Sequence, residues 1–100
     1  YASIYMTEDL VGWGIGAGYQ TQAEADSASL KNCQDKNSGK TCTKREGGAF
    51  KCAAIGMSKK WVQWGLDDDL EKLKSSIISE CKKNGGRCKI KADTQVCAAW

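Results

Sequence analysis

Short apolar runs open each half of the chain: "YASIYM" at residues 1–6 and "KCAAIGM" at residues 51–57. Runs of this length between polar turns read as buried strands. After turns at Thr7–Asp9 and Ser58–Lys59 come "LVGWGIGA" and "KWVQWG", placed as the return arms of hairpins. Glycine takes every second position of the first return arm, at Gly12, Gly14, Gly16 and Gly18. A period of two belongs to a strand, with Trp13, Ile15, Ala17 and Tyr19 on one face and only hydrogens on the other. Such a bare face lets a helix or ring approach the backbone closely. The alternative is a small-ligand groove. A dinucleotide fingerprint fails in both registers, because its third glycine would fall on Ala17 or Tyr19, and no G-K-[ST] follows for a phosphate loop.

The period then changes to that of a helix. Thr21 with Glu24 forms a capping box, and Asp68 with Glu71 repeats the device in the second half. The acidic run Asp67–Asp69 suits the positive end of the second helix dipole. Leu70, Leu73, Ile77 and Cys81 make one apolar stripe, and Asn84–Gly86 ends that helix with residues that tolerate positive φ. "CTKREGG" and "RCKIKA" are the expected following strands, and "QVCAAW" closes the chain.

The halves align with each other. At an offset of 51, Tyr1 falls on Cys52, Ile4 on Ile55, Met6 on Met57, Val11 on Val62, Trp13 on Trp64 and Gly14 on Gly65. The offset drops to 48 at Cys33 and Cys81, then to 46 at Cys42 and Cys88, as when loops shorten on a kept framework. The expected architecture is α+β: two β-β-α-β units, about 1–50 and 51–100, in a single domain. They would form a mainly antiparallel sheet with two helices on one face and a middle strand serving both copies.

Six cysteines in one hundred residues read as a disulfide framework in an oxidising compartment. The other reading, a zinc site, lacks any Cys-x-x-Cys pair and any histidine. Equivalence of the halves pairs Cys33 with Cys42 and Cys81 with Cys88, which leaves Cys52 with Cys97. No metal and no cofactor is expected. Without histidine the usual general base is missing, and bridged cysteines leave no thiol nucleophile. Carboxylates remain for acid/base work: Glu8 with Asp9, Glu24 with Asp26, Asp67–Asp69 with Glu71, and Glu46. Turns and helix caps account for most of these.

The net charge of +3 is too small to imply nucleic acid. It is uneven, however. Residues 82–91, "KKNGGRCKIK", hold five cations and no carboxylate, which suits either a solvated edge or a docking surface for an acidic partner. Trp13 and Trp64 read as packing residues at equivalent strand positions. Trp61, after Lys59 and Lys60 at a strand start, and Trp100, the last residue, are candidate contact residues. The candidate partner-binding set is Trp61, Lys59, Lys60, Lys82, Lys83, Arg87, Lys89 and Trp100. No run of 18 apolar residues would span a membrane. The chain starts at Tyr1 rather than Met, and we expect a leader to have been removed.

"YASIYM…VGWGIGAGYQTQAEADSASLKNC…FKCAAIGM…WVQWG…ISEC…VCAAW" resembles a bacterial secreted family of unknown function. Members of that family repeat a "GAIA" strand, a "Y-G-x-W" strand, a "T-R-A-E-A…A-L-x-x-C" helix and a "C-G-A-l-A" strand. The resemblance covers nearly the whole chain, and "TQAEADSASLKNC" is its most specific part. It implies export to the periplasm or beyond and carries over no catalytic residue. The expected function is a non-enzymatic protein-binding module, of the immunity or inhibitor kind, that blocks a toxin or hydrolase. The alternatives are a secreted effector acting on a host or competitor, and a small envelope hydrolase using carboxylates.

Overall fold

Alternation along β1 and β4 decides the layering. The computed structural model describes residues 1–38 and 40–98. The chain runs β1 (Ala2–Thr7), β2 (Trp13–Gly16), α1 (Gln22–Lys36), β3 (Cys42–Gly48), β4 (Cys52–Met57), β5 (Val62–Asp67), α2 (Leu70–Lys83) and β6 (Gln95–Cys97), with a 3-10 turn at Ala92–Thr94. The strands form two antiparallel three-stranded sheets, ordered β2-β1-β3 and β5-β4-β6. In each half the first strand is central, flanked by its hairpin partner and by a strand from beyond the helix.

One face of β1 carries Ala2, Ile4 and Met6, and one face of β4 carries Ala53 and Ile55. These five are fully buried in a single cluster, with Trp13, Ile15, Trp64 and Leu66 packed around them. The sheets therefore lie face to face. The α+β class, the antiparallel pairing and the stapling stand as expected, but the sheet is divided in two. The reason is that β1 and β4 each find both neighbours within their own half, so β4 is shared by packing and not by pairing.

The two helices do not share one face as expected: each covers its own sheet on the face turned away from the common cluster, because the inner faces are taken up by packing of sheet on sheet. Ala25, Ser29 and Cys33 of α1 are buried, and the Ser29 hydroxyl donates to the Ser3 carbonyl at 3.1 Å. Gly14 and Gly16 share the register face of Tyr5 and Ser3. A Cβ at Gly14 would overlap backbone atoms of Ser29 and Cys33, so the alternating glycines are the floor on which α1 rests. On the other side, Leu73 and Ile77 of α2 pack on Cys52 and Ala54.

Three details differ from the sequence expectation. The cap of α2 is Asp69, whose carboxylate accepts from the Glu71 and Lys72 backbone N–H groups. Asp68 instead accepts from the Lys51 N–H at 3.0 Å, because β5 runs on to Asp67 and delays the helix start. "RCKIKA" forms no strand beyond a single bridge of Lys89 to Met57; β6 takes the Cys52–Ala54 part of that β4 edge and leaves only its end. Finally, Trp64 pairs with Ile55 whereas Trp13 pairs with Met6. Trp64 thus stands in the register place of Ile15, since the turn after Met57 is two residues shorter than the turn after Met6.

Disulfides join Cys33 to Cys42, Cys81 to Cys88 and Cys52 to Cys97. The first ties α1 to β3, the second ties α2 to the loop after it, and the third clasps β4 to β6.

Candidate functional site

The two hairpin turns meet at one end of the sandwich, and each is locked by its own side chains. In the first, the buried Thr7 hydroxyl accepts from the Gly12 N–H at 3.0 Å, and the Thr7 N–H donates to the Gly12 carbonyl at 3.0 Å. The Asp9 carboxylate accepts from the Lys40 ammonium at 2.7 Å, from the Thr7 hydroxyl and from the Val11 N–H at 3.2 Å. Those bonds, the lysine's foremost, hold its carboxyl far below the ordinary carboxylate range. This locked turn forces Leu10 to a φ of 58°, a region that branched residues seldom adopt. It leaves Val11 64% exposed at the tip.

In the second turn, the Ser58 hydroxyl accepts from the Lys60 and Trp61 N–H groups at 3.2 and 2.9 Å. Trp61 is 40% exposed, and its indole N–H donates to Gln63 Oε1 at 2.8 Å. The ring is thus oriented without being covered. Leu10, Val11, Trp61, Val62 and Trp64 line a recess of about 440 Å³ between the turns, with Lys59 and Lys60 on its rim.

A second recess adjoins it, of about 280 Å³, lined by Ser58, Lys59, Lys60, Gly85, Gly86 and Arg87. Its far wall is the loop after α2, held by the Cys81–Cys88 bridge and by a Gly86 N–H to Cys81 carbonyl bond of 3.0 Å. Gly85 takes a φ of 78°, the left-handed conformation glycine adopts without penalty. A Cβ on Gly86 would come within 2.7 Å of both Cys81 Sγ and Ser58 Oγ and 3.0 Å of Trp61 Cβ. The glycine therefore lets the loop press against the tryptophan turn, and that contact brings Arg87 beside Lys59 and Lys60.

Of the residues singled out from sequence, Lys59, Lys60, Trp61 and Arg87 come together here. Lys82 lines a separate groove along α2 with Ile78 and Ile90. Lys83 pairs with Glu80 at 3.2 Å. Lys89 is bridged through its main chain to Met57 and lines neither recess, and Trp100 lies outside the described residues. The sequence pattern places Leu10 and Val11 at the start of a return strand, whereas β2 begins only at Trp13. Their signal was two branched aliphatics directly after a polar turn, of which Leu10 packs against the core cluster and Val11 stays exposed.

Of the candidate carboxylates, Asp9 lines the recess but is tied to Lys40, Thr7 and Val11, and four others are engaged elsewhere. Glu24 and Asp69 serve the helix starts, Asp67 accepts from the Asp69 N–H, and Asp26 holds Lys44 at 2.8 Å on the α1 side of the first sheet. Among the described residues no three His, Cys, Asp or Glu side chains are grouped to hold a metal, and no helix is long and apolar enough to cross a membrane.

No curated protein and no solved structure matches the chain. A family model does, over residues 1–97, and by that match the chain belongs to the family described as Domain of unknown function (DUF4189).

Proposed function

We propose that this is a non-enzymatic protein-binding module of an oxidising, extracytoplasmic compartment, an inhibitor or immunity protein that blocks a toxin or hydrolase through the recess between its hairpin turns. The observation that carries this reading is the exposed apolar recess itself, with Val11 and Trp61 at 64% and 40% exposure on turns that are already ordered. Anchors of this kind, rigid before contact, spare the ordering cost that weakens most associations. Three disulfides support the assignment to an oxidising compartment.

The test is an inhibition panel. Purified oxidised protein is titrated against cell-wall hydrolases, muramidases and amidases together, and against membrane-free toxin domains. Stoichiometric inhibition of at least one enzyme is expected, weakened more than tenfold by Trp61→Ala, a typical anchor loss of about 2 kcal/mol or more. If the protein itself degrades wall polymer, or if inhibition ignores both Trp61→Ala and Val11→Asp, the reading is wrong.

A further inference from the structure

Three cations converge on the smaller recess with no carboxylate to meet them. The ion pairs among the described residues are Lys40–Asp9, Lys44–Asp26, Lys74–Glu71 and Lys83–Glu80. Lys59, Lys60 and Arg87 take part in none, and all three are exposed. Asp9, which lines the neighbouring recess, is already spent on Lys40, Thr7 and Val11. Like charges gathered in one concavity repel, and the repulsion is relieved when an anion enters. The lining is also held in place, by the Ser58 turn on one side and by the Cys81–Cys88 loop on the other.

We propose that this recess clamps a carboxylate of the partner, so that the recognised element is an acidic protein segment with an apolar side chain next to its Asp or Glu. The inference deepens the inhibitor reading and rests on it for the partner's being a protein. Lys59 and Lys60 line both recesses, so an anion held by them lies beside the Leu10–Val11–Trp61 wall. An anionic polymer would use cations spaced along its repeat and would have no use for the apolar half. Arg87 supplies the planar fork that matches a carboxylate, and the lysines supply mobile point charges.

The experiment pans a random displayed peptide library on the intact, oxidised chain. Enriched peptides should carry Asp or Glu adjacent to Leu, Ile, Phe or Trp. A selected peptide should lose about tenfold or more in affinity to the triple variant Lys59→Gln, Lys60→Gln, Arg87→Gln, and should weaken as salt is raised. Lys82→Gln with Lys83→Gln, on α2, should leave binding unchanged. Arg87→Gln alone, at an exposed position, should show a smaller loss and guards against misfolding of the triple variant. Enriched peptides lacking acids, or binding of polyphosphate or lipoteichoic acid in place of any acidic peptide, would overturn the proposal. The two readings separate cleanly. Acidic-peptide binding without inhibition of any hydrolase removes the inhibitor reading alone, whereas inhibition indifferent to the triple variant removes this one alone.

Discussion

At Asp26, burial and charge pull in opposite directions. Burial on its own would raise the carboxyl's pKa, but hydrogen bonds from Lys44, Gln22 and Ser3 outweigh it and leave the group lowered. The ammonium of Lys44 and the amide of Gln22 each stand 2.8 Å away. A carboxylate more acidic in the folded than in the unfolded chain stabilises the fold at pH values above its unfolded pKa. That contribution is lost as the pH falls through about 4 toward the lowered folded value. Urea denaturation from pH 7 downward should therefore show stability level to about pH 5 and falling below it. Asp26→Asn should flatten part of that fall, with Asp9, lowered likewise, supplying another part. A fall unchanged in Asp26→Asn would show that Lys44 holds nothing there. The pattern of hydrophobic residues contained no hint of this pair, because Lys44 and Asp26 are brought together only when α1 lies across β3.

The contact between α1 and β2 is where local pattern and packing agree most closely. The period-two glycines were legible as a bare strand face, and the helix that uses the face was legible from Thr21 and Glu24. Their meeting follows from size, since only a strand without side chains lets the α1 backbone at Ser29 and Cys33 come so near Gly14. Gly14→Ala should cost at least about 2 kcal/mol, because the added carbon meets the α1 backbone at Ser29 and Cys33, and neither that helix nor β2, paired to β1, can yield without strain. Chemical denaturation measures this directly, and a loss under about 0.5 kcal/mol, the size of an ordinary surface change, would refute the close approach. Less legible were the second-half boundaries. Asp67, Asp68 and Asp69 are chemically interchangeable as caps, and the choice of Asp69 was made by how far β5 continues and by the Lys51 N–H that engages Asp68.

Across the whole molecule, covalent links do unequal work. Cys52–Cys97 spans 45 residues of sequence, against 9 for Cys33–Cys42 and 7 for Cys81–Cys88. In the chain-entropy account, the long link stabilises by about 4 kcal/mol and each local link by about 2.5. Replacing both cysteines of the long pair with alanine should thus lower the urea midpoint more than replacing either local pair; the reverse order would mean that native packing around the sulfurs dominates over loop entropy. The local bridge at Cys81–Cys88 has a different consequence: its loss should loosen Arg87 and the wall of the basic recess. By itself the sequence determined both helices, every strand but the misplaced one at residues 87–92, the cap of α1 and the equivalence of the cysteines, because each depends on residues a few places apart or on a pattern repeated between halves. Only the tertiary structure decided that the strands divide into two facing sheets and that Lys59, Lys60 and Arg87 share a recess beside Leu10, Val11 and Trp61. Those outcomes depend on which edges are already occupied and on which distant turns end at the same height, and neither is written in any local stretch of chain.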